Sequence, residues 1–218
     1  METSTIQEQP SRAREPRDLK PFAFADMNWA NRLTLSRLVL TILFVAALNS
    51  PWVYARTTAL VLFLIAGLTD FVDGQVARRY GTVTSFGKLM DPLVDKIMIA
   101  AAFISLVPMK AVPAWAATTV VARDFLITGL RLMAGSRGLI LPAERLGKQK
   151  TSWQIITVLF FLGLWTAIEL QFATESSKWW HTAWTQAGPV LVWITVALTV
   201  YSGLGFMWRN RNLITLDQ

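Results

Sequence analysis

Six stretches of the chain are apolar almost all the way round, and the polar residues gather in short bursts between them. The runs cover 33–49, 54–79, 92–109, 113–133, 153–172 and 185–208, and each reads as a helix. Turn formers mark the breaks: Asn49-Ser50-Pro51, Tyr80-Gly81-Thr82, Val107-Pro108 and Gly135-Ser136-Arg137-Gly138. Several runs approach the ~20 apolar residues that cross a bilayer. The expected fold is an all-α integral membrane protein of six transmembrane helices. Residues 22–31, with Phe22, Phe24, Met27 and Trp29, form either a short interfacial helix or an unstructured linker. The expected organisation is a basic disordered tail over 1–21, one membrane domain over 22–210 and a short tail over 211–218.

Composition narrows the chemistry. The chain has 218 residues, 53% of them hydrophobic and 16% charged, which is too apolar for a soluble domain of this size. It contains no Cys and a single His, His181, so thiolate sites and disulfides are excluded and imidazole chemistry is nearly so. The first twenty residues lack the apolar core of a secretory signal. Of the net charge of +7, most follows the topology. Arg12, Arg14, Arg17, Lys20, Arg32 and Arg37 precede or open the first run. Arg78, Arg79 and Lys88 lie at the second connection, Arg137, Arg145, Lys148 and Lys150 at the fourth, and Arg209 and Arg211 at the end. The other connections hold only Arg56, Lys110 and Lys178. This asymmetry predicts that both termini are cytoplasmic. The basic excess belongs to the membrane topology, and no nucleic-acid partner is expected.

Carboxylates are expensive in this setting and need partners, yet four of them bracket the second connection: Asp70, Asp73, Asp91 and Asp95. Asp70 and Asp73 are three residues apart and Asp91 and Asp95 four apart, so each pair shares one helix face. Asp91 followed by Pro92 suits an N-cap and first-turn proline, which predicts that the third helix starts there after a connection of about a dozen residues. Gly74 and Ala77 share the face of the first pair and admit close approach of a helix or ligand. Four convergent acids call for positive charge from outside. All-oxygen ligation suits Mg²⁺ or Mn²⁺, and two such ions about 3.5–4 Å apart can clamp an in-line phosphoryl displacement. The competing reading pairs these acids with Arg78, Arg79, Lys88 and Lys96 at the interface, and a cation transporter is the rival function.

The spacing Asp-x2-Asp-Gly-x2-Ala-Arg-x8-Gly-x3-Asp-x3-Asp, filled by Asp70, Asp73, Gly74, Ala77, Arg78, Gly87, Asp91 and Asp95, resembles the signature of the CDP-alcohol phosphotransferases. Three further segments resemble the phosphatidylglycerophosphate synthase branch. They are Asn31-Arg32-Leu33-Thr34-Leu35-Ser36-Arg37, the pair Arg123-Asp124 with Arg131 beyond it, and Gly147-Lys148-Gln149-Lys150-Thr151-Ser152-Trp153-Gln154 before the fifth helix. The resemblance implies a six-helix membrane enzyme, a homodimer in a bacterial-type inner membrane. Its reaction moves a phosphatidyl group from CDP-diacylglycerol to glycerol 3-phosphate and releases CMP. Inositol phosphate and phosphatidylglycerol are alternative acceptors within the family.

In that reading Asp70, Asp73 and Asp91 hold two Mg²⁺ or Mn²⁺ ions, Asp95 shares one and serves as general base, and Gly87 fixes the hairpin. Gly74, Ala77, Arg78 and Thr34 receive the CDP-lipid. Arg37, Arg123, Arg131, Lys148 and Lys150 are the candidates for the acceptor phosphate. Each of these cations could instead anchor the chain at headgroups, and Asp124 could pair with Arg123 in a structural role. Trp179, Trp180, His181 and Trp184 read as an aromatic belt, and Glu169 and Glu175 as solvated helix ends.

Overall fold

The structure, a computed structural model, describes the backbone of residues 29–80, 85–136, 145–171 and 177–211. Within these it describes the side chains of 34–69, 93–94, 96–135, 147, 149–171 and 177–211. The tail 1–21, most of the segment 22–31, Glu175 and all but the first residue of the tail 211–218 lie outside the described residues. Among the described residues, six long helices carry the fold: α1 (Trp29–Leu48), α2 (Ala55–Tyr80), α3 (Ser85–Leu106), α4 (Ala114–Ser136), α5 (Arg145–Glu169) and α7 (Gly188–Arg209). A short α6 (Lys178–Thr182) and a π-helical turn (Ala183–Ala187) run directly into α7. No strand occurs among the described residues.

Each long helix has 20 to 26 residues, or about 30–39 Å at 1.5 Å per residue. Helix α1 packs on α2 and α3, α3 on α4, α2 on α5, and α7 on both α4 and α5. The core is built from Phe44, Phe63, Phe103, Phe161 and Leu106, with Ala59, Ala66, Ala102 and Ala116 buried among them. Alanines at the contacts let backbones approach closely. The outside is also apolar: Leu68, Trp193, Tyr201, Leu204 and Trp208 are all more than 60% exposed. A surface this greasy suits acyl chains as solvent rather than water. Among the described residues, two helical stretches, Gln149–Glu169 and Lys178–Arg209, are long and apolar enough to cross a membrane, and Thr34–Leu48, Ala55–Thr69 and Lys96–Leu106 are further apolar stretches. Charged residues also interrupt the apolar sequence of the other helices: Arg37 in α1, Asp70 and Asp73 in α2, Lys88, Asp91, Asp95 and Lys96 in α3, and Arg123, Asp124 and Arg131 in α4.

Two boundaries differ from the sequence expectation. Helix α3 begins at Ser85, not at Pro92. Only residues 81–84 separate it from α2, so the connection is much shorter than a dozen residues. Proline removes one N–H and costs roughly 3 kcal/mol inside a helix, but packed membrane helices tolerate it where neighbouring groups make good the loss. Helix α5 begins at Arg145 rather than near 153, because Arg, Leu, Lys and Gln in its first turns are all good helix formers. The stretch 147–154 is therefore helical and not a loop.

The third difference lies at the far end of the bundle. Glu169 is not a solvated helix end: its side chain is 5% exposed. It accepts hydrogen bonds from Arg56 N (2.8 Å), Thr57 N (2.7 Å) and Thr57 Oγ1 (2.8 Å). The carboxylate thus caps the N-terminus of α2 from the C-terminus of α5, where the helix dipole favours negative charge. The Arg56 guanidinium stands 3.7 Å from Glu169 Oε1 and 4.6 Å from the centre of Trp165. Around Trp165, Trp180 and Trp184 make edge contacts with it at 6.2 and 5.4 Å and stack on each other at 5.3 Å. Of the expected aromatic belt, Trp179 and His181 are exposed, whereas Trp180 is buried and Trp184 partly so.

Glu169→Ala should lower stability by about 1–3 kcal/mol, because two first-turn N–H groups lose a buried acceptor. Glu169→Gln, which keeps one acceptor oxygen, should lose less. Melting of the detergent-solubilised protein checks the ranking.

Candidate active site

The short connections reverse the chain at each step, and the contacts fix which ends meet. Glu169 joins the start of α2 to the end of α5, so the end of α2 lies level with the start of α5. Asp70 and Asp73 sit in the last turns of α2, and Asp91 and Asp95 in the second and third turns of α3. Asp70 and Asp95 each lie about 15 Å along their helices from the shared connection. Both helices are continuous through their pair, so the i,i+3 and i,i+4 spacings place each pair on one face. Asp91 lies within α3 and is not its N-cap. The side chains of Asp70, Asp73, Gly74, Ala77, Arg78, Asp91, Asp95 and Lys148 lie outside the described set, as does Gly87. Among the described side chains no group of three or more acids or imidazoles could hold a metal. The donor set offered by the four aspartates, oxygen only and acidic, fits a hard divalent cation.

Beside this acidic end, the described side chains form a buried polar network across α4, α5 and α7. Asp124 is 4% exposed and Lys150 2%. Lys150 Nζ donates to Asp124 Oδ1, and Gln154 Nε2 donates to Asp124 Oδ2 at 3.2 Å. Helical continuity through 145–154 makes this possible: Lys150 and Gln154 are four apart and face α4 together. Arg123 Nη1 lies 3.4 Å from Asp124 Oδ1, and Arg123 Nη2 donates to Ser202 Oγ at 3.0 Å. Asp124 therefore does more than neutralise its neighbour Arg123; its shorter bonds go to α5. Lys96 of α3, next to Asp95, is near enough to Lys150 to repel it. With Arg123 and Lys150 both protonated, the cations outnumber the Asp124 carboxylate, a favourable setting for a phosphate.

The remaining candidates divide. Thr34 and Arg37 are buried on one face of α1, with Thr41 Oγ1 donating to the Arg37 carbonyl at 2.8 Å. Arg131 is exposed, its guanidinium 5.3 Å from the centre of Phe206, and does not join the Asp124 network. Sequence reasoning missed Ser202 and Gly203 as members of this site. A Cβ at Gly203 would lie 2.9 Å from Arg123 Cγ, so the arginine stem rests on bare α7 backbone. The available signal was the spacing of Thr195, Thr199 and Ser202, a hydroxyl stripe along an otherwise apolar helix. All three are buried, and Thr195 Oγ1 meets Thr157 Oγ1 at 2.8 Å.

Lys150→Met should be strongly destabilising, on the order of 3–5 kcal/mol, because it strands the buried Asp124 carboxylate. Lys150→Met combined with Asp124→Asn should recover much of that loss. Melting of the four proteins of this cycle tests it, and strictly additive losses would contradict the pairing.

Comparisons with known proteins bear on this geometry. Residues 27–201 match the family model described as CDP-alcohol phosphatidyltransferase. A Bacillus subtilis protein named CDP-diacylglycerol--glycerol-3-phosphate 3-phosphatidyltransferase is 35% identical over 84% of this chain and 95% of its own length. One of the same name from Rickettsia bellii is 32% identical over 83% and 94%. Another from Mycoplasma pneumoniae is 42% identical over 45% and 44%.

Proposed function

The chain belongs to the CDP-alcohol phosphatidyltransferase family, and on that premise we propose that it transfers the phosphatidyl group of CDP-diacylglycerol to glycerol 3-phosphate. The products are phosphatidylglycerophosphate and CMP. The observation that carries the choice of a phosphorylated acceptor is the buried network of Arg123 and Lys150 around Asp124. An acceptor bearing a phosphate needs such a surplus of charge; an uncharged alcohol does not. The names of the Bacillus and Rickettsia relatives support the same acceptor.

Six helices cross a bacterial-type inner membrane in this reading, and the protein is a homodimer. The Lys and Arg asymmetry supports cytoplasmic termini and a cytoplasmic site. Asp70, Asp73 and Asp91 would hold Mg²⁺ or Mn²⁺, with Asp95 sharing one ion, and bound metal would supply positive charge to the diphosphate and the CMP leaving group. Gly74 and Ala77 leave room on α2 for the nucleotide, Arg78 contacts its phosphates, and Thr34 lines the CDP-lipid side. Arg37, Arg123, Arg131, Lys148 and Lys150 receive the acceptor phosphate and aim its hydroxyl at the phosphatidyl phosphorus. Asp95 takes the hydroxyl proton as the new P–O bond forms. The bridging P–O bond breaks, and its electron pair leaves with CMP.

Purified protein should release CMP from CDP-diacylglycerol only when both glycerol 3-phosphate and Mg²⁺ or Mn²⁺ are present. Labelled inositol phosphate and phosphatidylglycerol should give no lipid product. Use of inositol phosphate with glycerol 3-phosphate ignored would overturn the acceptor, and ion flux through proteoliposomes without CMP release would point to a transporter.

Asp95→Asn should lower kcat by about 10²–10⁴-fold with the KM for CDP-diacylglycerol little changed. Asp73→Asn should instead raise the metal concentration needed for half-maximal rate. Near-normal turnover in Asp95→Asn removes it as the base.

A further inference from the structure

The last helix carries no residue of the family signature, yet it touches Arg123 in two places. Gly203 presents backbone where any other residue would place a Cβ 2.9 Å from Arg123 Cγ and 3.3 Å from its Nε. The arginine stem is therefore seated in a notch one side chain deep. One residue earlier, Ser202 Oγ accepts from Arg123 Nη2 at 3.0 Å. Ser202 is fully buried, and its own hydroxyl hydrogen goes to the Thr199 carbonyl at 3.1 Å. That donation leaves the serine oxygen's lone pairs facing the guanidinium, so the residue acts as a fixed acceptor. On the other side Arg123 Nη1 lies 3.4 Å from Asp124 Oδ1. Stem, one terminal nitrogen and the other are thus each constrained by a different group.

A guanidinium recognises phosphate through a planar fork, and its strength depends on holding that plane in one orientation. A long flexible side chain loses rotamer entropy when it binds, and a support that freezes it beforehand removes that cost from the binding step. We infer that Ser202 and Gly203 are positioning residues, by which the last helix holds Arg123 in the orientation that selects a phosphorylated acceptor. The inference rests on the proposed role of Arg123 at the acceptor phosphate. Neither residue touches the reacting atoms. Their effect is confined to acceptor affinity, and the CDP-lipid half of the site is indifferent to them.

The test measures CMP release by full-length protein in lipid–detergent micelles, varying glycerol 3-phosphate and CDP-diacylglycerol separately. Ser202→Ala removes one oxygen, and Gly203→Ala fills the notch. Each should raise the KM for glycerol 3-phosphate about tenfold, the effect of losing one hydrogen bond to a charged group. The kcat at saturating acceptor should stay within about twofold, and the KM for CDP-diacylglycerol should not move. Ser202→Thr, which keeps the hydroxyl, should restore most of the acceptor affinity. In an Arg123→Ala background, Ser202→Ala should add no further rise in KM.

Should Gly203→Ala fail to fold, Ser202→Ala and Ser202→Thr decide alone. A wild-type acceptor KM in Ser202→Ala, alongside a raised one in Arg123→Ala, overturns the inference and leaves the proposed function standing. Parallel losses in both KM values and in melting temperature also overturn it, since they mark a residue that only packs helices. Failure of Arg123→Ala to raise the acceptor KM removes the role of Arg123 and the inference with it. No CMP release by the wild-type protein with glycerol 3-phosphate counts against the proposed function itself.

Discussion

A carboxylate inside an apolar helix bundle must be met by donors from its surroundings, and Asp124 draws those donors from more than its own helix. Lys150 and Gln154 reach it from α5, while Arg123 connects it through Ser202 to α7. Isolated buried charges cost several kcal/mol each, so none of these groups is tolerable there alone. The constraint is mutual. Helix α5 must remain helical back to Arg145 for Lys150 and Gln154 to share a face, and α7 must pass close enough for its glycine to meet an arginine stem. A bundle held in this way has one register at this end.

The opposite end is fastened by another carboxylate in another manner. Glu169 binds two backbone amides and a threonine hydroxyl of α2, and so fixes the height of α2 against α5. Asp70 and Asp73 sit on the same helix, about 20 Å further along. A rigid helix transmits that height, so the level of the first aspartate pair is set by a contact with no part in the chemistry. Polar groups in this protein therefore serve at both ends. At one end they set heights between helices, and at the other they gather charge.

Much of the fold was legible in the sequence because apolar runs of helix length are strong signals. The long helices among the described residues overlap the expected apolar runs, with α3 and α5 starting earlier. The four aspartates stand out in the sequence because acids are rare in such runs and their spacing repeats within a turn. What misled was local chemistry with two meanings. Asp91-Pro92 has the form of a helix start, but Pro92 lies inside α3, and no single-residue rule weighs a missing N–H against the packing of a whole helix. The basic residues at 145–150 look like a loop by charge, although their backbone preference is helical. Glu169 looked solvated because its partners are the amides of a helix more than a hundred residues away. Ser202 and Gly203 did not announce the site, because small residues in such a helix report close approach without naming what approaches.

The indoles clustered at the Glu169 end have a spectroscopic consequence. Trp180 and Trp184 stack with nearly parallel rings at 5.3 Å, and Trp165 meets both edge-on. Transition dipoles this close couple, giving the folded bundle an exciton signature in circular dichroism that the separated chromophores lack. Because the cluster sits on α5, α6 and the π-helical turn, away from every group assigned to substrates, that signal tracks whether α5 and the start of the last span stay docked. Optical monitoring of assembly can thus proceed during turnover without the reaction perturbing its own reporter.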